Sequence, residues 1–143
     1  DYLLLASAKD DASGKINQDI INKMHELGAS ADLKDKYRWS YIWAYSTKNK
    51  TNVLEKLEPN ALDETISVGT SIANKALTKE IRLKSAGFET GNISSILING
   101  TDYSLNSRGL NIVIYDLNND KVVQTAVFDL FAGSTGMIVL FSS

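Results

Sequence analysis

The chain has 143 residues, 43% apolar and 22% charged, with 15 basic against 17 acidic residues and no cysteine. That length suits one domain able to bury a core. The formal charge of -2, spread without long runs, excludes the basic stripe that phosphate backbones require, so nucleic acid is not an expected partner. No apolar run reaches the roughly 18 residues needed to cross a bilayer, so no membrane insertion is expected. The start lacks a basic n-region and cleavage site, and its lack of an initiator Met reads as a fragment or mature segment. Without cysteine there is neither disulfide nor thiolate chemistry, and the redox compartment stays open.

Along the chain, "YLLLASA" (Tyr2 to Ala8) is a short continuous apolar run with polar flanks, the pattern of a fully buried strand. Where it should surface, Lys9, Asp10 and Asp11 stand side by side. In "INQDIINKMHELG", Ile16, Ile20, Ile21, Met24 and Leu27 recur at helical spacing. Asn17 suits the N-cap, Asp19 the positive end of the dipole, and Gly28 the stop. "YRWSYIWAYS" alternates, setting Tyr37, Trp39, Tyr41, Trp43 and Tyr45 on one strand face and Arg38, Ser40, Ile42 and Ala44 on the other. This aromatic stripe reads either as a sheet face packed under the helix or as a partly exposed platform for sugar rings.

Residues 47 to 60 read as a polar connection holding the only proline, with a helical turn at Val53 to Leu57. Leu62, Ile66, Ala73 and Leu77 give a helical face interrupted by Gly69, so a helix is expected after the Asn60 cap. From Lys79 the pattern turns to strands: "EIRLKSAG", then "SSILI" and "DYS" around Asn99-Gly100, then "LNIVIY" and "KVVQTAVF" around "DLNND", and finally "MIVLFS". The expected class is α+β, with mostly antiparallel, sandwich-like sheets and two or three flanking helices.

Few motifs carry chemistry. "DLNND" (Asp116 to Asp120) opens like a calcium loop, but Lys121 follows where glycine is needed and Val127 stands in place of the bidentate glutamate, so it reads as a β-turn. The glycosylation acceptors at Asn49, Asn92 and Asn99 are ordinary in an Asn-rich chain. The single His25 reads as a surface residue near a helix end, and with no cysteine and no second histidine the usual nucleophile pairs have no partners. Asp10 and Asp11 point to opposite strand faces and cannot flank one bond. No enzyme, metal or cofactor is expected.

Two blocks together resemble the interleukin-like EMT-inducer (ILEI, or GG) domain. "SAGFETGNISSILINGTDYSLNSRGLNIVIYDLNNDKVVQTAVFD" is similar to the family's opening half, with its "RG-hydrophobic-N" strand, a turn, and a strand closing in "VFD". "DYLLLASAKDDASGKINQDIINKMHELGAS" with "YRWSYIWAYS" is similar to its closing half: a buried strand ending in "KD-acidic", a helix, and an "R-aromatic" strand. The family order is reversed here, which reads as a circular permutation or as a slice of a tandem array. The resemblance makes the chain one ILEI/GG-like domain: 1–48 the family's C-terminal half, 49–77 a connection with a helix, and 78–143 its N-terminal half. It leaves residues 2 to 8 and 137 to 142 competing for one strand slot. An array slice would let halves of two chains pair as a domain-swapped homo-oligomer.

Family members include secreted cytokine-like proteins and a non-catalytic, sugar-binding stem domain of a Golgi glycosyltransferase. Similar modules occur in bacterial and phage surface proteins. The resemblance implies that Asp10 and Arg38, 28 residues apart, hold a sugar, with Lys9 and Trp39 at the rim. An acceptor-only carboxylate and a donor-only guanidinium can bracket adjacent hydroxyls; the same two residues could instead form a structural ion pair. The implied partner is a glycan, amino-sugar-containing types included, and the implied place is extracellular, on a cell surface or on a virion. A structural or assembly module with no sugar ligand is the alternative. Eukaryotic members carry disulfides that this chain lacks, and the helix expected after "VFD" is missing from the sequence pattern.

Overall fold

A computed structural model describes residues 1–10, 18–31, 36, 39–128 and 137–141. Asp11, Ile16, Asn17, Tyr37 and Arg38, on which several expectations rest, lie outside them. The described residues form twelve strands and one helix. The strands are β1 (Tyr2–Asp10), β2 (Ser40–Ser46), β3 (Thr51–Glu58), β4 (Leu62–Ile66), β5 (Ser71–Ile72) and β6 (Lys75–Ala76). They continue with β7 (Ile81–Gly87), β8 (Ile93–Ile98), β9 (Thr101–Asp102), β10 (Gly109–Asp116), β11 (Lys121–Phe128) and β12 (Met137–Phe141). Helix α1 spans Gln18–Leu27.

The mixed main sheet branches at β1. Along one edge β1 pairs antiparallel with β10, from Tyr2 opposite Asp116 to Lys9 opposite Gly109. Along the other edge Leu3 to Ser7 pair antiparallel with β2. Lys9 and Asp10 then pair in parallel with Ala86 and Gly87 of β7. One layer therefore runs β3-β2-β1-β10-β11-β12 and the other β4-β7-β8-β9. Between them lies the larger core, where Leu3 and Leu5 meet Ile42, Ile81, Leu83, Ile96 and Val113. On the outer face of the first layer, Ala6, Ala8, Tyr41, Trp43, Tyr45 and Leu110 cluster with Met24 of α1 and Ala29. β1 is apolar on both faces because the second layer covers one and the helical segment the other.

At the branch the two layers converge, and small polar residues take the place of large apolar ones. Ser7, Ser94 and Asn111 are fully buried and Ser85 nearly so. Ser85 Oγ donates to Ala8 O at 2.5 Å and accepts Tyr41 N–H at 3.0 Å. Ser7 Oγ donates to Lys84 O, and Ser94 Oγ to Ser7 O at 3.2 Å. These hydroxyls satisfy backbone groups that lose their ladder partners where β1 changes neighbours.

Two expectations are corrected. Residues 53–57 are not a helical turn but the middle of β3, paired with β2 from Ser40 opposite Glu58 to Ser46 opposite Thr51. The helix expected over 60–77 is absent: β4 pairs with β7, and β5 and β6 form a hairpin. Gly69, Ala73 and Asn74 have φ of 93°, 53° and 64°, left-handed values that a right-handed helix cannot contain. Leu62, Ile66 and Leu77 still reach the core, because the folded-back strands bring them to the same face that helical spacing would, but Ile72 is buried there rather than the expected Ala73. The flanking helices thus reduce to α1 among the described residues. The two segments read as candidates for one family strand hold separate places in this sheet: β1 is central and β12 pairs with β11.

Candidate functional site

The C-terminal end of β1 is where Lys9, Asp10 and Trp39, three of the four residues singled out from the sequence, lie. In the β1/β2 pair, Leu3 opposite Ser46 through Ser7 opposite Ile42 runs toward Asp10 on one strand and Trp39 just before the other. Lys9, Asp10 and Trp39 therefore lie at the same end of this pair. Arg38 falls outside the described residues, and for Asp10 the description is of its backbone.

Lys9 is half-buried, and its Nζ donates to Asn106 O at 2.9 Å. That bond ties the charged end of β1 to the loop between β9 and β10. Asn106 Oδ1 in turn accepts Ser94 N–H at 3.0 Å. Trp39 is half-buried, with Lys36 Nζ 4.7 Å from its ring centroid, a distance at which an ammonium is attracted to the indole face. Phe88, directly after the Gly87 that pairs with Asp10, is 54% exposed. Its signal was present in "SAGF", an aromatic placed just past a strand-ending glycine, but apolar side chains at turns are too common to single out from sequence.

Tyr41, Trp43 and Tyr45 of the aromatic stripe belong to the core, the first of its two readings; Trp39 is half-buried and Tyr37 lies outside the described residues. Tyr41, Trp43 and Tyr45 are buried, and the Trp43 and Tyr45 rings are 5.5 Å apart, tilted by 39°. Two of them have their polar atoms partnered inside the fold: Trp43 Nε1 donates to Asn52 Oδ1 at 2.7 Å and Tyr41 OH to Glu55 Oε2 at 2.7 Å.

Glu55 organises the chain that leads toward the site. Its carboxylate accepts Ser30 N–H at 3.0 Å, Ser30 Oγ–H at 2.7 Å and Ala31 N–H at 3.1 Å. Burial pushes its pKa up, but the hydrogen bonds from Ser30, Tyr41 and Ala31 outweigh that and hold it below the usual glutamate value. Burial, with the Glu55 charge beside it, drives the Tyr41 phenol far above its ordinary range. Glu55 is thus an anion at neutral pH whose acceptor capacity is consumed in fastening the segment after α1 to β3.

The "DLNND" segment is a turn, as its sequence indicated. Asp116 Oδ1 accepts Asn118 N–H at 2.9 Å and Asn119 N–H at 3.2 Å, and Asp120 has φ of 51°. His25 is exposed, with its Nε2 3.2 Å from Ala31 O. Among the described residues no three His, Asp or Glu side chains converge as a metal cage, and no helix is long and apolar enough to cross a membrane. Comparison of the chain with protein-family models, curated proteins and solved structures finds no match.

Proposed function

We propose that this chain is a non-catalytic carbohydrate-binding module of permuted ILEI/GG type, acting outside the cell, on a cell surface or on a virion. The observation that carries the reading is the gathering of Lys9, Asp10 and Trp39 at one end of the β1/β2 pair, beside the exposed Phe88. A pyranose offers vicinal hydroxyls to a carboxylate and a guanidinium, and an apolar C–H face to an aromatic ring. Asp10 and Arg38 supply the charged pair in this reading; Trp39 or Phe88 supplies the ring. Direct pairing of β1 with β10 joins the two family-like blocks in one sheet, as the permuted reading requires. A site with two or three such bonds binds in the range of roughly millimolar to micromolar Kd, and several copies would be needed for avidity.

The assembly alternative needs a surface that accepts another chain. Edge strand β3 carries Glu55, Lys56 and Glu58, charges that oppose strand addition. NMR titration with N-acetylglucosamine- and mannose-containing glycans tests the proposal. Saturable shifts near Asp10 and Trp39 are expected, lost in Asp10→Asn and in Arg38→Ala with the fold intact. No shift at several millimolar of any glycan would overturn it, and a ligand-independent oligomer by light scattering would favour assembly.

A further inference from the structure

The opposite end of the β1/β10 pair holds a second feature, and its case is independent of the glycan reading. β10 ends at Asp116, opposite Tyr2, whereas Lys9 pairs with Gly109 at the other end. Here the Asn99-Gly100 turn between β8 and β9 comes close to the β10/β11 turn. Lys79, Asn99, Thr101, Tyr103, Asp120 and Lys121 line an open pocket of about 100 Å³.

The pocket is held from behind. Thr78 Oγ1 and Tyr115 OH donate to Asp120 Oδ1 at 2.9 and 3.0 Å, which keeps the Asp120 carboxyl below its usual pKa and ionised. Lys79 Nζ donates to Asp120 O at 2.9 Å, and Lys75 Nζ to Leu117 O at 2.9 Å. The neighbouring Asp116 carboxylate is taken by Asn118 and Asn119. Two lysines, Lys79 and Lys121, thus line the pocket with one carboxylate, Asp120, which is already committed to internal donors; Lys75 lies near it.

The side chains of Asn99, Thr101, Tyr103 and Lys121 make no hydrogen bond among the described residues, and every one of them can donate. Donors of net positive charge around so small a space suit a compact acceptor. Pockets that engulf larger organic ligands are several times bigger, about 300 Å³ and upward.

We propose that this pocket binds a small oxyanion, the chemistry shared by inorganic sulfate or phosphate and by the sulfate or carboxylate group of an acidic saccharide. The test is an amide NMR titration with sodium sulfate, against sodium chloride at matched ionic strength, and a parallel titration with glucose 6-sulfate. Saturable shifts confined to residues 99–103 and 120–122 are expected. Lys121→Met, at an exposed position, should weaken binding about three- to tenfold, the effect of losing one solvent-facing charged donor. Lys79→Met should weaken it too, with a thermal melt separating this from the loss of its tie to Asp120. Equal affinity for both probes identifies a free-anion site; tighter glucose 6-sulfate identifies a group carried on a sugar. Shifts that match those of chloride for both probes, or that Lys121→Met leaves unchanged, overturn the proposal.

Discussion

Replacing Glu55 by alanine tests the account of how the segment after α1 is held. The carboxylate accepts from Ser30 at 3.0 and 2.7 Å, Ala31 at 3.1 Å, Asn52 Nδ2 at 3.3 Å and Tyr41 OH at 2.7 Å. Ser30 and Asn52 are exposed, so water replaces most of what they lose, leaving a cost of about 1 kcal/mol. The Tyr41 ring is fully buried, and an orphaned hydroxyl there costs about 1–3 kcal/mol. The sum is about 2–4 kcal/mol, or a fall in Tm of roughly 6–16 °C for a chain of this size. Urea and thermal melts followed by circular dichroism measure it. Adding Tyr41→Phe to Glu55→Ala removes the orphan and should recover about 1–2 kcal/mol.

The pH dependence adds a check with a definite sign. Because the folded pKa of Glu55 is lowered, its contribution is present above the unfolded value, about 4.3, and lost as pH falls through the folded one. The stability gap between the natural chain and Glu55→Gln should be full above about pH 5 and shrink below about pH 4. A gap as large at pH 3 as at pH 7, or a Glu55→Ala cost below about 0.5 kcal/mol, would refute the reasoning, since surface changes without a structural role fall in that range.

Two further substitutions probe the frame around the site. Gly28 has φ of 123°, and a Cβ there would overlap the Tyr45 ring; Gly28→Ala should therefore cost about 2–4 kcal/mol in urea unfolding, combining backbone strain with overpacking. Ser85→Ala strips the buried Tyr41 N–H and Ala8 carbonyl of their partner, and a loss of about 2–3 kcal/mol is expected, with faster amide exchange at Tyr41 as the local signature.

Sequence patterns carried much of the strand framework. "LNIVIY" and "KVVQTAVF" became β10 and β11, and Asn99 and Gly100, with φ of 51° and 83°, made the expected tight turn, because left-handed residues at a two-residue turn are a local requirement. Gly28 stopped α1 for the same local reason, with Ala29 N–H reaching Met24 O at 2.9 Å. The segment from residue 51 to 77 was misread because Leu62, Ile66 and Leu77 satisfy a helical period and a folded hairpin equally. Choosing between them takes β7 as a partner for β4, which lies outside any local window.

The sequence by itself determined that β1, β2, β7, β8, β10, β11 and β12 are strands, where α1 stops, that no thiol chemistry is available, and that Lys9 and Asp10 stand where β1 ends. Only the tertiary structure decided that Tyr41, Trp43 and Tyr45 face inward and that β1 exchanges β2 for β7 through a seam of buried serines. It also decided that Phe88 joins the Asp10 end while Lys121 and Tyr103 meet at the other. Periodicity follows from the geometry of one chain segment, whereas burial and convergence follow from which distant segments pack against it.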